Sequence, residues 1–350
     1  MNCYKNGDVM RGGFRHLSDG TICVDYCEEN YPLNLYLNDL ILYVNKNSIK
    51  KIFINSSLSN KIDISFLEDL KSIESLQITA LCNSLNPICS LRLKTLKLQV
   101  QDEIINFNNL KDSLEELEFY NLIPHHEQKL HLDISIIKCT KLKTLNVACF
   151  DSQDCEIISK INWLQCLSLV NCIDKKIELN WIYKIKGLKT LKLQKLAIKK
   201  FEFKELLNLK ELIITQSDLI TMDNIQNLNE LEYLGIRYCP KLLDISAISN
   251  CTKLKKLEFE SSKKIEDFNC LSNLINLKGL IISNCGNINS LEFINGMDNL
   301  KFLSFVDTNI ENGDLTPCLR LKYVGTMDKR HYNLKSAELP HNKEFAFNRL

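Results

Sequence analysis

The chain is poor in the residues that interrupt regular structure. Its 350 residues include only 11 glycines, 6 prolines and 2 tryptophans, which excludes collagen-like and linker-rich architectures. Charge of one sign is also missing: 44 lysines and arginines face 43 aspartates and glutamates, a formal net charge of +1. A near-neutral chain sets up no long-range field toward nucleic acid or an anionic membrane, so neither is expected as a partner. No apolar run approaches a membrane span, and the opening MNCYKNGDVMRGGFRHLSDG lacks the apolar stretch of an export signal. The expected location is therefore cytoplasmic. Phosphate-binding GxxxxGK(S/T), dinucleotide-binding GxGxxG and the GxSxG nucleophile elbow are all absent. On that ground no enzyme activity and no cofactor is expected. Cysteine breaks the pattern of scarcity: fifteen are scattered without paired spacing, and inside a cell they are expected as free thiols.

What is present is a period. The motif LxxLxL, with Ile, Val or Phe allowed, occurs as IKKIFI from 49, IESLQI from 73, LKTLKL from 93 and LEELEF from 114. It continues as LKTLNV from 142, LQCLSL from 164, LKTLKL from 188, LKELII from 209 and LEYLGI from 231. LKKLEF from 254, LKGLII from 277, LKFLSF from 300 and a degraded LKYVGT from 321 complete thirteen units, spaced 20 to 28 residues apart. Each motif predicts a short strand whose alternate apolar residues point inward. No unit can bury that edge alone, so neighbours must stack and share one core. Segments such as DISAISN (244–250) have room for a turn or a 3₁₀ stretch, not a full helix.

This pattern resembles the leucine-rich repeat family over residues 49–326, and its short period resembles internalin-like repeats. The resemblance implies an α/β fold: a curved leucine-rich repeat solenoid with a parallel β-sheet on the concave face. Turns and 3₁₀ or short helices would line the convex face. Residues 1–48 and 327–350 are expected to cap the two ends, with a hairpin around Asp19-Gly20 and either a helix or an irregular strand over 34–44. The family further implies a non-enzymatic, protein-binding role. The ending NIENGDLTPCLRLKYVGTMDKRHYN (309–333) is similar to that of bacterial cytosolic repeat proteins of toxin–immunity loci. That likeness implies an immunity protein, monomeric on its own, that inhibits a toxin by covering it. An adaptor or effector substrate-recognition module stays open, as does a metal-dependent protein using the 123–131 insertion.

Counting from the first Leu of each motif, position nine is Cys172, Cys239 and Cys285 in three units, Ser217 and Ser262 in two, and Thr308 in another. The family usually has a buried Asn or Cys there, bonded to neighbouring loop backbone. Cys139, Cys251 and Cys318 lie three residues before a motif, where other units carry Ile, Leu or Met. They are expected as core side chains. Cys23 and Cys27 have no second pair with zinc-ligand spacing, and His125, His126, Glu127 and His131 lack the helical HExxH arrangement. No metal site is expected.

Positions three, five and seven of each strand should face outward along the concave surface. There the sequence changes from small polar residues to anchor types: Ile213, Tyr233, Arg237, Glu258, Glu260, Ile281, Phe302 and Tyr323, flanked by Tyr238 and Asp307 at position eight. Exposed Ile, Phe, Tyr and Arg stacked on one face are residues that anchor protein interfaces. A column of lysines at position two (Lys143, Lys189, Lys210, Lys255, Lys278, Lys301, Lys322) alternates with Glu, so it is expected to solvate strand entrances, not to read phosphate.

Overall fold

In a computed structural model, the structure describes residues 2–5, 8–11, 14–26, 37–56, 61–100, 104–121, 131–174, 177–200 and 205–350. The chain divides into two compact units, residues 1–164 and 165–350.

The first unit opens with β1 (Asn2–Lys5) and β2 (Asp8–Arg11), paired antiparallel. β3 (Phe14–His16) and β4 (Thr21–Tyr26) form a second antiparallel pair across the Asp19-Gly20 turn, where Gly20 has φ 84°. Of the run at 34–44, the described residues form a helix, α1 (Leu37–Lys46), which buries Leu40 and Val44 one turn apart. Five repeat strands follow: β5 (Lys51–Ser56), β6 (Ser75–Thr79), β7 (Thr95–Val100), β8 (Glu116–Asn121) and β9 (Thr144–Ala148). β4 pairs in parallel with β5 over six residues, so the sheet begins before the first motif. Most return segments carry 3₁₀ turns, such as Ser65–Asp69 and Ile134–Lys138, and one carries a short helix, α2 (Ser152–Ile158).

The second unit continues the scheme with β10 (Cys166–Val170), β11 (Thr190–Gln194), β12 (Glu211–Thr215), β13 (Tyr233–Arg237), β14 (Lys256–Glu260) and β15 (Gly279–Ser283). After a short β16 (Asn287–Ile288) come β17 (Phe302–Ser304), β18 (Asn309–Ile310) and β19 (Tyr323–Gly325). β10 to β15, β17 and β19 form one parallel run in which equivalent repeat positions pair, Leu212 opposite Leu234 and Leu257 opposite Leu280, for example. β16 and β18 pair separately in parallel. All thirteen motifs produce a strand that starts two residues after the motif begins.

Two features keep the repeats in phase. Inward positions four and six, such as Leu234, Ile236, Leu257, Phe259, Leu280 and Ile282, are fully buried and form an apolar core. Outside it, backbone ladders use the groups each strand end would leave unpaired. The Lys189 carbonyl accepts from Lys210 and Glu211, the Lys210 carbonyl from Glu232 and Tyr233, and the Lys255 carbonyl from Lys278 and Gly279. At the far end position eight turns left-handed, with φ between 51° and 57° at Cys149, Asn171, Lys195, Gln216, Tyr238, Ser261, Asn284 and Asp307. In six of these the N–H donates to the next repeat, Tyr238 to Glu260 O at 2.7 Å among them.

Four of the six residues singled out at position nine reach backbone one repeat earlier, as expected of them, while the Ser262 hydroxyl donates to Glu260 O within its own repeat. Ser217 donates to Leu196 O at 3.0 Å, Thr308 donates to Ile282 O at 2.6 Å, and the Cys239 and Cys285 thiols approach Ile214 O and Phe259 O. Cys139, Cys251 and Cys318 are buried at their aliphatic positions. Burial pushes all three up to about 12, from an ordinary 9.0, so they stay protonated and unreactive at neutral pH. Cys23 is buried too, held between Arg15 and Asp25; Cys27 lies outside the described residues.

Residues 327–342 close the last repeat. Tyr332 is buried, its hydroxyl accepting from Ile310 N–H at 3.1 Å and donating to Thr308 O at 3.3 Å. Asn333 binds the Leu315 N–H through its side-chain oxygen and Asp314 and Thr316 through its amide. The turn below needs Gly313: its φ is 67°, and a Cβ there would stand 2.2 Å from His331 O.

Candidate protein-binding face

On β13 and β14 the outward positions assemble a polar cluster, and the gap at Gly235 makes it possible. A Cβ at Gly235 would be 3.2 Å from the Tyr233 hydroxyl, so the missing side chain lets that ring lie down along the sheet. The hydroxyl donates to Glu258 Oε2 at 2.8 Å, and Arg237 Nη2 donates to the same oxygen at 2.6 Å and to the Tyr233 hydroxyl at 3.0 Å. Burial, then the Glu258 carboxylate, push the Tyr233 phenol upward, which keeps it a neutral donor. Arg237 is held charged chiefly by its bond to Glu258. Its Nε is buried and has no acceptor among the described residues. At the strand end Tyr238 is exposed, in the left-handed region, with its hydroxyl 2.9 Å from Glu260 Oε1.

The ten residues singled out from the sequence therefore separate by access. Tyr238 and Asp307 are exposed; Ile213, Tyr233, Arg237, Glu260, Ile281 and Tyr323 are half-buried. Glu258 and Phe302 are buried, at 7% each, contrary to the exposed face expected of them. For Glu258 the cause is the pair of donors folded over it. For Phe302 it is aromatic packing: its ring stacks on Tyr323 at 4.9 Å and 5°, and Phe347 lies 5.6 Å away. Phe347 belongs to a stretch read from sequence only as an end cap, and no periodicity marks its contact with the sheet.

Part of the lysine column pairs with the interleaved acids, Lys143 with Glu115 at 3.1 Å among them. Glu232 is shared by Lys210 at 3.4 Å and Lys255 at 2.5 Å, and Glu74 by Lys50 at 2.8 Å and Lys94 at 2.5 Å.

The first unit holds two further polar features. A cleft of about 250 Å³ is lined by Gln77, Thr79, Lys97, Gln99, Glu118 and Tyr120, with Lys97 Nζ 2.8 Å from Glu118. Of the 123–131 insertion only His131 is described; His125, His126 and Glu127 lie outside the described residues. His131 Nδ1 is 3.4 Å from Asp151 Oδ1 and 3.6 Å from Asp154 Oδ1, a grouping compatible in size with a metal ion. The carboxylates already have work. Asp151 caps α2 by accepting from Gln153 and Asp154 N–H, while buried Asp154 accepts from Leu132 and Asp151 N–H. A capping box accounts for both acids.

No family model matches the sequence, and no curated protein does. Among solved structures, the chain is similar to the internalin InlF of Listeria monocytogenes str. 4b F2365, at 20% identity and TM-score 0.48, covering 77% of this chain and 84% of that one. It is similar to the functional domain of InlJ from Listeria monocytogenes, whose description includes a cysteine ladder, at 16% identity and TM-score 0.49, over 79% of this chain and 62% of that one. The leucine-rich repeat protein LIC12759 of Leptospira interrogans is similar at 16% identity and TM-score 0.48, over 87% and 77%. The chain's own strands and backbone ladders give each unit the leucine-rich repeat fold, with short returns between parallel strands.

Proposed function

We propose that this protein acts without catalysis, by binding another protein through the sheet face of residues 211–327. The observation that carries the reading is the Tyr233–Arg237–Glu258 cluster with Tyr238 and Glu260 beside it. Tyrosine and arginine are the side chains most often found to dominate interfaces. Here they are preorganised on paired strands, which lowers the ordering cost of association. Ile213 and Ile281 supply half-buried apolar surface on the neighbouring strands.

A photo-crosslinking residue tests this. Placed at Tyr238 or Ile213, it should give one dominant adduct in extract of the source organism. Placed at Ile275, which is exposed but off the strands, it should give none. Equal labelling from all three sites would refute the face. The finer form of the reading is an immunity protein covering a toxin, supported by the similarity of residues 309–333 to such proteins. Co-expression should then rescue cells from the toxic product of a neighbouring gene, and Arg237→Glu should abolish the rescue.

A further inference from the structure

The chain's own residues 343–350 occupy part of this face, and their attachment differs from that of the residues before them. Up to Asn342 the stretch is built in: Val324 N–H donates to Pro340 O at 2.8 Å, Asn342 N–H to Lys322 O at 3.0 Å, and Tyr323 bridges antiparallel to His341. Beyond Asn342 the backbone lets go. Among the described residues, every hydrogen bond made by 343–350 ends within the segment or on Asn342, as with Phe345 N–H to Asn342 O and Arg349 N–H to Ala346 O. Side chains alone hold it. The Phe347 ring lies 6.1 Å from Tyr233 and 5.6 Å from Phe302, with Lys256 Nζ 5.6 Å from its centre.

Gly279 gives this contact its shape. It sits at outward position three, where neighbouring strands carry Glu211, Tyr233, Lys256, Phe302 and Tyr323. Its φ is not in the left-handed region, so the backbone does not require glycine there. What the glycine provides is a notch: a Cβ would come within 2.9 Å of both Phe347 Cδ2 and Leu350 Cδ1. The two side chains three residues apart fill the space that the missing one leaves.

We propose that the notch over Gly279 is a docking site for a partner segment that presents an aromatic side chain and, three residues on, an aliphatic one. Residues 343–350 are its internal stand-in and leave when the partner binds. The proposal rests on the face reading above and names the chemistry that reading requires. A segment tethered beside its site competes at an effective concentration of about millimolar. A partner displaces it by adding contacts the segment lacks, to Arg237 and Tyr238, so that occupancy by weak ligands is suppressed.

The test uses the labelled peptide NKEFAFNRL and the full chain carrying Phe347→Ser and Leu350→Ser. The peptide should bind this variant at least about tenfold more tightly than the unsubstituted chain, whose own segment competes. Adding Gly279→Leu should remove the binding. Failure of the peptide to bind the double variant, shown folded by circular dichroism, would overturn the proposal, as would binding that survives Gly279→Leu. Should the double variant not fold, hydrogen exchange on the unsubstituted chain decides: amides of 343–350 should exchange at least about 100-fold faster than those of Val324 and Asn342, and equal protection would overturn the proposal. A dimer that dissociates on Phe347→Ser would assign the notch to a second copy, which also overturns it. A Tyr238 crosslink without peptide binding removes the notch while the face stands; peptide binding without the crosslink does the reverse.

Discussion

Tyr238 is held where side chains other than Gly, Asn and Asp are disfavoured, and that strain can be measured. Of the eight left-handed position-eight residues, Asn171, Asn284 and Asp307 suit the conformation, since a short polar side chain can bond locally. A tyrosine there costs about 1–2 kcal/mol. Against that stands only a solvent-exposed hydroxyl bond to Glu260, which water competes for. Tyr238→Asn should relieve most of the strain, for a gain of about 1 kcal/mol. Tyr238→Ala keeps a Cβ in the same strained conformation, so it should gain nothing. The contrast of about 1 kcal/mol between the two variants is the quantity to read, from urea midpoints at unchanged slope. Both variants should lose the partner. Asn proving no more stable than Ala would refute the strain argument; stability traded for an exposed ring is the signature expected of a functional position.

Gly313→Ala combines a left-handed φ with a Cβ 2.2 Å from His331 O, so it should cost about 3 kcal/mol or more and loosen residues 327–342 first; hydrogen exchange would locate the loss. Glu258→Gln takes the negative charge from the acceptor that Tyr233 and Arg237 share, leaving a neutral amide oxygen. With Arg237 a third exposed, the expected cost is about 1–3 kcal/mol, and a double-mutant cycle with Arg237→Met should show the two residues coupled by at least 0.5 kcal/mol. The buried thiols predict an alkaline slope. Cys251 holds its proton up to about 12 in the folded chain against 9.0 when unfolded. Stability is therefore fully present below pH 9 and is lost as pH rises from 9 to 12, by about 1.4 kcal/mol per pH unit per thiol. Cys251→Ala should flatten urea-midpoint curves over that window by one thiol's share, and an unchanged slope would refute the assignment.

The repeat was legible because its physics is local. Leu or another apolar residue at positions one, four and six fixes a strand and its inward face within six residues, and stacking does the rest. The same locality exposed the roles of Ser217, Cys239, Cys285 and Thr308, since each bonds backbone one repeat away. The extent of the sheet was not legible. β4 enters it without an LxxLxL motif because pairing with β5 needs only a free strand edge and buried Ile22 and Val24.

Access to the sheet face depends on side chains that come from other repeats or from outside them, which no period encodes. Tyr233 and Phe302 both sit at position three, with the same phase and related chemistry. One ring lies over Gly235 and donates to a carboxylate; the other is sandwiched between Tyr323 and Phe347. What separates them is the residue missing nearby. Gly235 lets a ring of the same strand fold down, and Gly279 admits a segment more than sixty residues later in the chain. In a repeat whose every other position is specified by stacking, a glycine at an outward strand position with ordinary φ has no role in the fold itself. Its role is the space it leaves, and that space marks where this sheet receives another side chain.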